Sequence, residues 1–198
     1  MLSVLGIWCA VAAVSAETLP AQVGQPAPDF SVADATGQTQ SLAKQRGHYV
    51  VLEWFNPQCP FVQKHYRSGN MQALQHEAAG QGVVWWSISS SAPGNEGHLT
   101  AETAKQFVAE QQASPSAVLL DEDGTVGKRY GAKTTPHMFL IDPAGVLVYA
   151  GAIDDVRSVN PDDVATAKNY VRQALAEVAA GRPVSVPETK SYGCSVKY

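Results

Sequence analysis

Apolar runs separated by turn residues are the clearest pattern along the chain. Nearly continuous apolar runs predict buried strands over residues 49–55, 83–88, 117–120, 138–141 and 146–149. The last two runs flank Asp142-Pro143-Ala144-Gly145, a turn sequence that predicts a hairpin between them. Two shorter segments, 30–32 and 39–42, flank turn residues 34–37 and predict a small hairpin near the N-terminus.

Helical segments are predicted between these strands and after them. Their spans are 60–67, 71–79, 100–112 and 160–180. Asn70 and either Thr100 or Thr103 stand where an N-cap is expected, because their side chains can accept from free backbone N–H groups. Asn160-Pro161-Asp162-Asp163 supplies a cap, a proline at the first helical position and acids in the first turn. Gly181 is the predicted end of this last helix.

The order of these elements predicts the fold class. Strand, helix, strand, helix and strand are followed by a hairpin and a final helix. This order indicates an α/β fold with a mixed central sheet and helices on both faces. An N-terminal hairpin precedes the sheet, and a tail over residues 184–198 follows the last helix.

The length, composition and charge of the chain limit the expected number of domains and the expected partners. A chain of 198 residues with 45% hydrophobic content suits one domain with tails. There are 14 basic and 18 acidic residues, and the formal net charge is −4. No dense basic run is present, so nucleic acid is not an expected partner.

The first 16 residues predict export. They carry no charged side chain, are apolar over 2–14, and end in small residues, which is typical of a signal peptide cleaved after Ala16. A short membrane anchor is the alternative, although the run is shorter than a bilayer requires. We expect an extracytoplasmic protein, periplasmic or secreted, with a domain over 17–183 and no membrane span after signal removal. Cleavage would discard Cys9 and leave Cys59 and Cys194 in a compartment that permits disulfides.

Cys59 is the first candidate for chemistry. It stands between the predicted strand 49–55 and a helix that begins at Pro60. Free N–H groups and the helix dipole at such a position favour the thiolate, which is the reactive form of cysteine. The alternative is a buried, inert cysteine that packs as a small apolar side chain.

Four features in order carry a resemblance to a known family. They are the segment 23–30, the strand-to-helix junction at Cys59, Thr135-Pro136, and the segment 139–145. The chain resembles thioredoxin-fold proteins of the redoxin group, which includes the alkyl hydroperoxide reductase/thiol-specific antioxidant family. The tail over 191–197 is similar to that of an uncharacterised peroxiredoxin-like branch. The resemblance covers about residues 23–155 and implies a thioredoxin-like fold with thiol chemistry.

The resemblance also implies roles for individual residues. Cys59 matches the nucleophilic cysteine, and Pro136 matches the proline that is cis and faces it; a loop proline is the alternative. Glu53 matches the buried acid of thioredoxins, whose raised pKa would let it exchange a proton with the sulfur. It could instead lie at an exposed strand end or pair with a basic residue. Cys194 is the candidate resolving cysteine, or else a tail thiol that packs inertly or pairs between chains.

Two departures from the family pattern affect the expected activity. Val62 occupies the position of the second cysteine of thioredoxins, so a local dithiol is absent. Asn56 and Pro136 occupy the positions of the threonine and arginine of typical peroxiredoxins. The amide of Asn56 could still hydrogen-bond a peroxide or thiolate. The missing arginine could be replaced by one of four basic residues, Lys64, Arg67, Arg129 or Arg157.

The predicted function is that of an exported thiol oxidoreductase. Its substrate would be a disulfide or a hydroperoxide, and its electron donor a thiol reductant such as a thioredoxin-like protein. No cofactor and no metal are expected. The alternatives are a non-catalytic scaffold that binds an extended peptide along the Pro136 groove, and a metal-delivery protein using His65 or His137 with a cysteine.

Overall fold

The structure is a computed structural model that describes residues 20–198. The predicted signal peptide lies outside the described residues. The strands are β1 (Ser31–Ala33), β2 (Thr39–Ser41), β3 (Val50–Trp54), β4 (Val84–Ser89), β5 (Ala117–Leu120), β6 (Thr134–Thr135), β7 (His137–Ile141), β8 (Leu147–Gly151) and β9 (Cys194–Ser195). The α-helices are α1 (Pro60–Arg67), α2 (Asn70–Gly80), α3 (Ala101–Glu110), α4 (Thr125–Tyr130) and α5 (Tyr170–Ala179).

A five-stranded mixed sheet forms the centre of the fold, in the order β5-β4-β3-β7-β8. Strand β3 runs parallel to β4 and antiparallel to β7, while β7 and β8 form the predicted antiparallel hairpin. Strands β1 and β2 pair as the predicted N-terminal hairpin. The thioredoxin-like α/β fold expected from the sequence is confirmed.

Side chains of β3 alternate between two apolar cores, as expected for a strand buried on both faces. Val51 lies in one core with residues of α1, α2, α3 and α5. Val50, Leu52 and Trp54 lie in the other core, which α4 and the segment around the N-terminal hairpin cover. Helices therefore pack on both faces of the sheet, and Cys59 belongs to the first core.

Local capping explains one helix start and corrects another. Thr100 accepts from the backbone of Thr103, and Thr103 accepts from the backbone of Thr100, so this capping box begins α3. The prediction that Asn70 caps α2 is wrong, because Gly69 holds the cap position and Asn70 is the first helical residue. The Asn70 amide instead bonds His65 Nδ1 at 3.0 Å.

The prediction of one helix over 160–180 is wrong. Pro161–Ala165 is a 3-10 helix, for which Asn160 accepts from Asp162 N, and α5 begins separately. Asn169 caps α5 by accepting from Arg172 N at 2.8 Å. A second cap within the segment thus starts a second helix.

The structure also contains four elements that the sequence pattern did not predict. Helix α4 follows the turn 121–124, strand β6 precedes Pro136, strand β9 lies in the tail, and a 3-10 helix spans Leu42–Gln45. None of the helices between residues 20 and 198 has the length and hydrophobicity of a transmembrane span.

Candidate functional site

Cys59 lies at the junction that the sequence predicted, as the N-cap residue of α1. Its N–H donates to Asn56 O at 3.0 Å, and Gln58 N donates to Asn56 Oδ1 at 2.7 Å, so a tight turn links β3 to the helix. Pro60 occupies the first helical turn. The Cys59 side chain is fully buried, at 0% exposure.

The tail brings a second sulfur to this position. Cys194 Sγ lies 2.7 Å from Cys59 Sγ, and Cys59 Sγ lies 3.0 Å from Thr135 O. Strand β9 holds Cys194 there by antiparallel pairing of Cys194 with Thr135. The Thr135–Pro136 peptide bond is cis, as predicted. The turn before α1, the Thr135–Pro136 peptide and the tail therefore converge on the pair of sulfurs.

The surroundings of the two thiols differ. Burial, the hydrogen bond with Cys59 and the charge on Cys59 raise the pKa of the Cys194 thiol to about 12. Cys194 therefore keeps its proton at neutral pH. Cys59 instead has its sulfur at a helix start, where the dipole favours negative charge.

Glu53 is buried in β3, at 1% exposure. Its carboxylate accepts from Tyr66 Oη at 2.9 Å, Trp85 Nε1 at 2.9 Å and Ser87 Oγ at 2.7 Å. Burial raises the pKa of Glu53, although the three hydrogen bonds oppose this shift. The raised pKa was predicted, whereas the alternatives of an exposed strand end and a basic partner are wrong. Its hydrogen-bond partners are core side chains rather than the Cys59 sulfur.

Asn56 is also buried, and its amide holds the neighbouring loop. Asn56 Nδ2 lies 3.3 Å from Glu96 Oε1, and Gly97 N donates to Gln58 Oε1 at 3.1 Å. The amide contacts are thus with the turn and the loop, rather than with the sulfur as the sequence suggested.

A buried polar cluster lies beside the site and was not predicted from the sequence. Lys64 Nζ donates to Asp154 Oδ2 at 2.8 Å and to Val156 O at 2.7 Å, and the Lys64 side chain is fully buried. The Tyr192 hydroxyl donates to the other oxygen of Asp154 and lies 3.4 Å from His65 Nε2. The residues of this polar cluster come from α1, from the region after β8 and from the tail, so no local sequence pattern could have predicted the cluster.

These contacts also test the basic residues considered as substitutes for the missing arginine. Lys64 forms an ion pair with Asp154, and Arg129 Nη1 donates to Asp29 O at 2.5 Å. Arg157 lines a cavity with Asp154 and Tyr192. The contacts of Lys64 and Arg129 do not include the Cys59 sulfur.

The two histidines proposed for metal binding lie in different surroundings. His65 belongs to the polar cluster, while His137 stacks on Phe139 with ring centroids 4.4 Å apart. Within residues 20–198, no group of three or more His, Cys, Asp or Glu side chains is arranged to hold a metal ion.

His137 should make the fold sensitive to acid. Burial, with a smaller effect from the Lys133 charge, lowers the pKa of His137 to about 4, from 6.5. Between these values the unfolded chain binds more protons, so stability falls as the pH falls. We expect the free energy of unfolding of wild type, relative to that of His137→Asn, to fall by roughly 3 kcal/mol from pH 7 to pH 4.

Urea unfolding at several pH values measures this difference. Glu53, whose raised pKa acts in the opposite direction, is present in both proteins and so cancels. A difference that stays constant with pH would show that His137 titrates normally in the folded state.

Comparison with known proteins gives a family match for most of the chain. The model of the AhpC/TSA family matches residues 23–150, which is more than half of the chain. A search of curated proteins found no significant match. The matched segment includes Cys59 and Pro136 and ends before the tail that carries Cys194.

Solved structures share the fold. A hypothetical protein from Sinorhizobium meliloti 1021 is 28% identical, with a TM-score of 0.75, and the match covers 89% of this chain and 94% of that one. An uncharacterized conserved protein from Geobacillus kaustophilus is 26% identical, with a TM-score of 0.75 and coverages of 89% and 92%.

A third structure, from Chlorobium tepidum, has the proposed name thiol:disulfide interchange protein DsbE. It is 26% identical, with a TM-score of 0.53, and the match covers 66% of this chain and 84% of that one. The fold and the match over residues 23–150 agree with one another. The chain therefore belongs to the AhpC/TSA family.

Proposed function

We propose that this protein is an exported thiol oxidoreductase in which Cys59 is the nucleophile and Cys194 is the resolving thiol. The observation that carries the proposal is the distance of 2.7 Å between the two sulfurs within one chain. Membership of the AhpC/TSA family and the similarity to a protein named for thiol:disulfide interchange support the same general chemistry.

In the first step the Cys59 thiolate attacks an oxidant. With a disulfide it forms a mixed disulfide and releases one thiolate. With a hydroperoxide, the thiolate and a proton give a sulfenic acid and an alcohol or water. The position of Cys59 at the start of α1 supports this role, because the helix dipole favours the ionised sulfur.

In the second step the Cys194 thiol attacks the Cys59 sulfur. The products are a Cys59–Cys194 disulfide and either the second thiol of the substrate or water, which takes the Cys194 proton. The raised pKa of Cys194 supports this order, since Cys194 keeps its proton at neutral pH and is then a poor nucleophile for the first attack. A thiol reductant, for example a thioredoxin-like protein, then returns both cysteines to thiols.

Disulfide exchange is the better supported of the two reactions. Asn56, whose amide bonds the adjacent turn and loop, replaces the threonine of typical peroxiredoxins. Pro136 stands where those proteins carry an arginine. Reduction of a hydroperoxide remains the second candidate, because the buried Cys59 suits a small oxidant.

The alternative of a non-catalytic peptide-binding scaffold meets a specific obstacle. Strand β6, which precedes Pro136, already pairs with Cys194 and Ser195 of the tail. A peptide could use this edge only after the tail had left it.

Export rests on the sequence of residues 1–16. Their lack of charge and the small residues before Glu17 support cleavage after Ala16 and an extracytoplasmic location, either periplasmic or secreted. Such a location would supply oxidised substrates for the pair.

Mild oxidation should join the two cysteines within one chain. We expect one equivalent of hydrogen peroxide or of a small disulfide to give a Cys59–Cys194 disulfide, because the sulfurs are already adjacent. Peptide mapping under non-reducing conditions detects the cross-linked peptide. Cys194→Ser is the matched control and should accumulate sulfenic acid or a mixed disulfide on Cys59. Exclusive Cys194–Cys194 linkage, or overoxidised Cys59 beside a free Cys194, would contradict the proposal.

A further inference from the structure

The segment that carries Cys194 is fastened to the domain on both sides of Gly193. On one side the Tyr192 hydroxyl donates to the buried Asp154, which Lys64 also binds. The Tyr192 ring packs edge-on against Phe61 of α1, with centroids 5.8 Å apart. On the other side Cys194 and Ser195 pair with β6. We call the contacts of Tyr192 with Asp154 and Phe61 the tail latch.

Gly193 lets the tail approach the domain closely. Its φ of 141° lies in a region that side chains disfavour. A Cβ at this position would overlap the carbonyl of Thr135 and touch the Pro136 ring. A glycine is therefore required for Tyr192 and Cys194 to reach their positions together.

The latched tail closes the site. Cys59 is fully buried with Cys194 Sγ and Thr135 O against its sulfur. A small oxidant would need a smaller displacement of Cys194 than a bulky one to reach the Cys59 sulfur. A bulky disulfide would need the tail to leave the β6 edge, and the tail latch, two residues before Cys194, opposes this movement.

We propose that Tyr192 is a specificity-determining residue, which restricts Cys59 to small oxidants while the tail latch is closed and admits bulky disulfides when it opens. This inference rests on the proposed function and adds the choice of substrate. With a disulfide of either size, the Cys59 thiolate displaces one thiolate and forms a mixed disulfide. Cys194 then displaces the second, with its proton going to the leaving thiol.

Two disulfides of the same chemistry and different size test the inference. The wild-type chain is mixed with hydroxyethyl disulfide or with glutathione disulfide, and the reaction is quenched with an alkylating reagent. Mass spectrometry of the peptide containing Cys59 then gives the rate at which its free thiol is lost. This readout also separates Cys59 from the other cysteines of the full chain.

Tyr192→Phe and Gly193→Ala should open the tail latch by different routes without changing charge. We expect each to raise the rate with glutathione disulfide about tenfold, because Tyr192→Phe loses the hydrogen bond to the Asp154 carboxylate and the Cβ of Gly193→Ala would overlap the Thr135 carbonyl. The rate with hydroxyethyl disulfide should change little. Tyr130→Phe is the control, since it removes a buried tyrosine hydroxyl whose hydrogen bond is to Pro28 O and not to a tail residue.

Equal rate increases with both disulfides, or no increase with glutathione disulfide in either variant, would overturn the inference. In those cases Cys59 still reacts, and the proposed function stands. A Cys59 that reacts with neither disulfide in any of the proteins would instead refute the proposed function.

Discussion

Cys59→Ser should abolish turnover of disulfides and hydroperoxides. Serine has nearly the same size as cysteine, but its hydroxyl does not ionise at neutral pH. Loss of a covalent nucleophile commonly lowers activity by roughly 10³-fold or more. The measurement is substrate consumption with a thiol reductant in excess, for wild type and variant at equal concentration.

Cys194→Ser distinguishes the roles of the two cysteines in the same assay. It should still consume one equivalent of oxidant in a first half-reaction, while steady turnover depends on whether the added reductant can reach Cys59. Thermal unfolding of each variant verifies that the fold is retained. Substantial turnover by Cys59→Ser would mean that the sulfur at the start of α1 is not the reacting group.

Lys64→Met should destabilise the fold by about 3–5 kcal/mol, since it leaves a buried charge without its partner. Asp154 is 2% exposed and would be left in the core with hydrogen bonds from Tyr192 and the backbone of Val156. Methionine preserves most of the lysine stem, so the loss reports mainly on the charge. Urea unfolding of the reduced protein at neutral pH measures this loss in the free energy of unfolding.

The exposed pair of Arg172 and Glu77 supplies the control. Its N–O distance of 2.9 Å is close to the 2.8 Å of the buried pair, but both side chains are 42% exposed. Arg172→Met should therefore cost less than about 1 kcal/mol. Equal losses in the two variants would show that burial adds nothing to the importance of the Lys64 pair.

Elements with strong local signals could be predicted from the sequence. The apolar run of β3, the turn sequence 142–145 and the proline after Cys59 each specify their structure within a few residues. The cis bond before Pro136 and the approach of Cys194 to Cys59 were also predicted, from the resemblance to redoxins and from the small number of cysteines.

Features that depend on distant contacts could not be predicted. Lys64 looks like an ordinary surface residue of a short helix, and it is buried only because Asp154, 90 positions later, lies opposite. The hydrogen bonds of Glu53 come from three separate elements. The sequence predicts that Asn169 is a polar residue within one long helix, whereas its side chain caps a separate helix, α5.

The way in which the tail binds has a consequence for oligomers. Strand β9 contributes only two residues to its pairing with β6, and residues 180–193 connect it to α5. The tail of a second copy can make the same pairing, which is the arrangement called domain swapping. A covalent dimer linked from Cys59 of one copy to Cys194 of another would then preserve every contact around the sulfurs. At high protein concentration, such a dimer on a non-reducing gel would be a rearranged form of the same site.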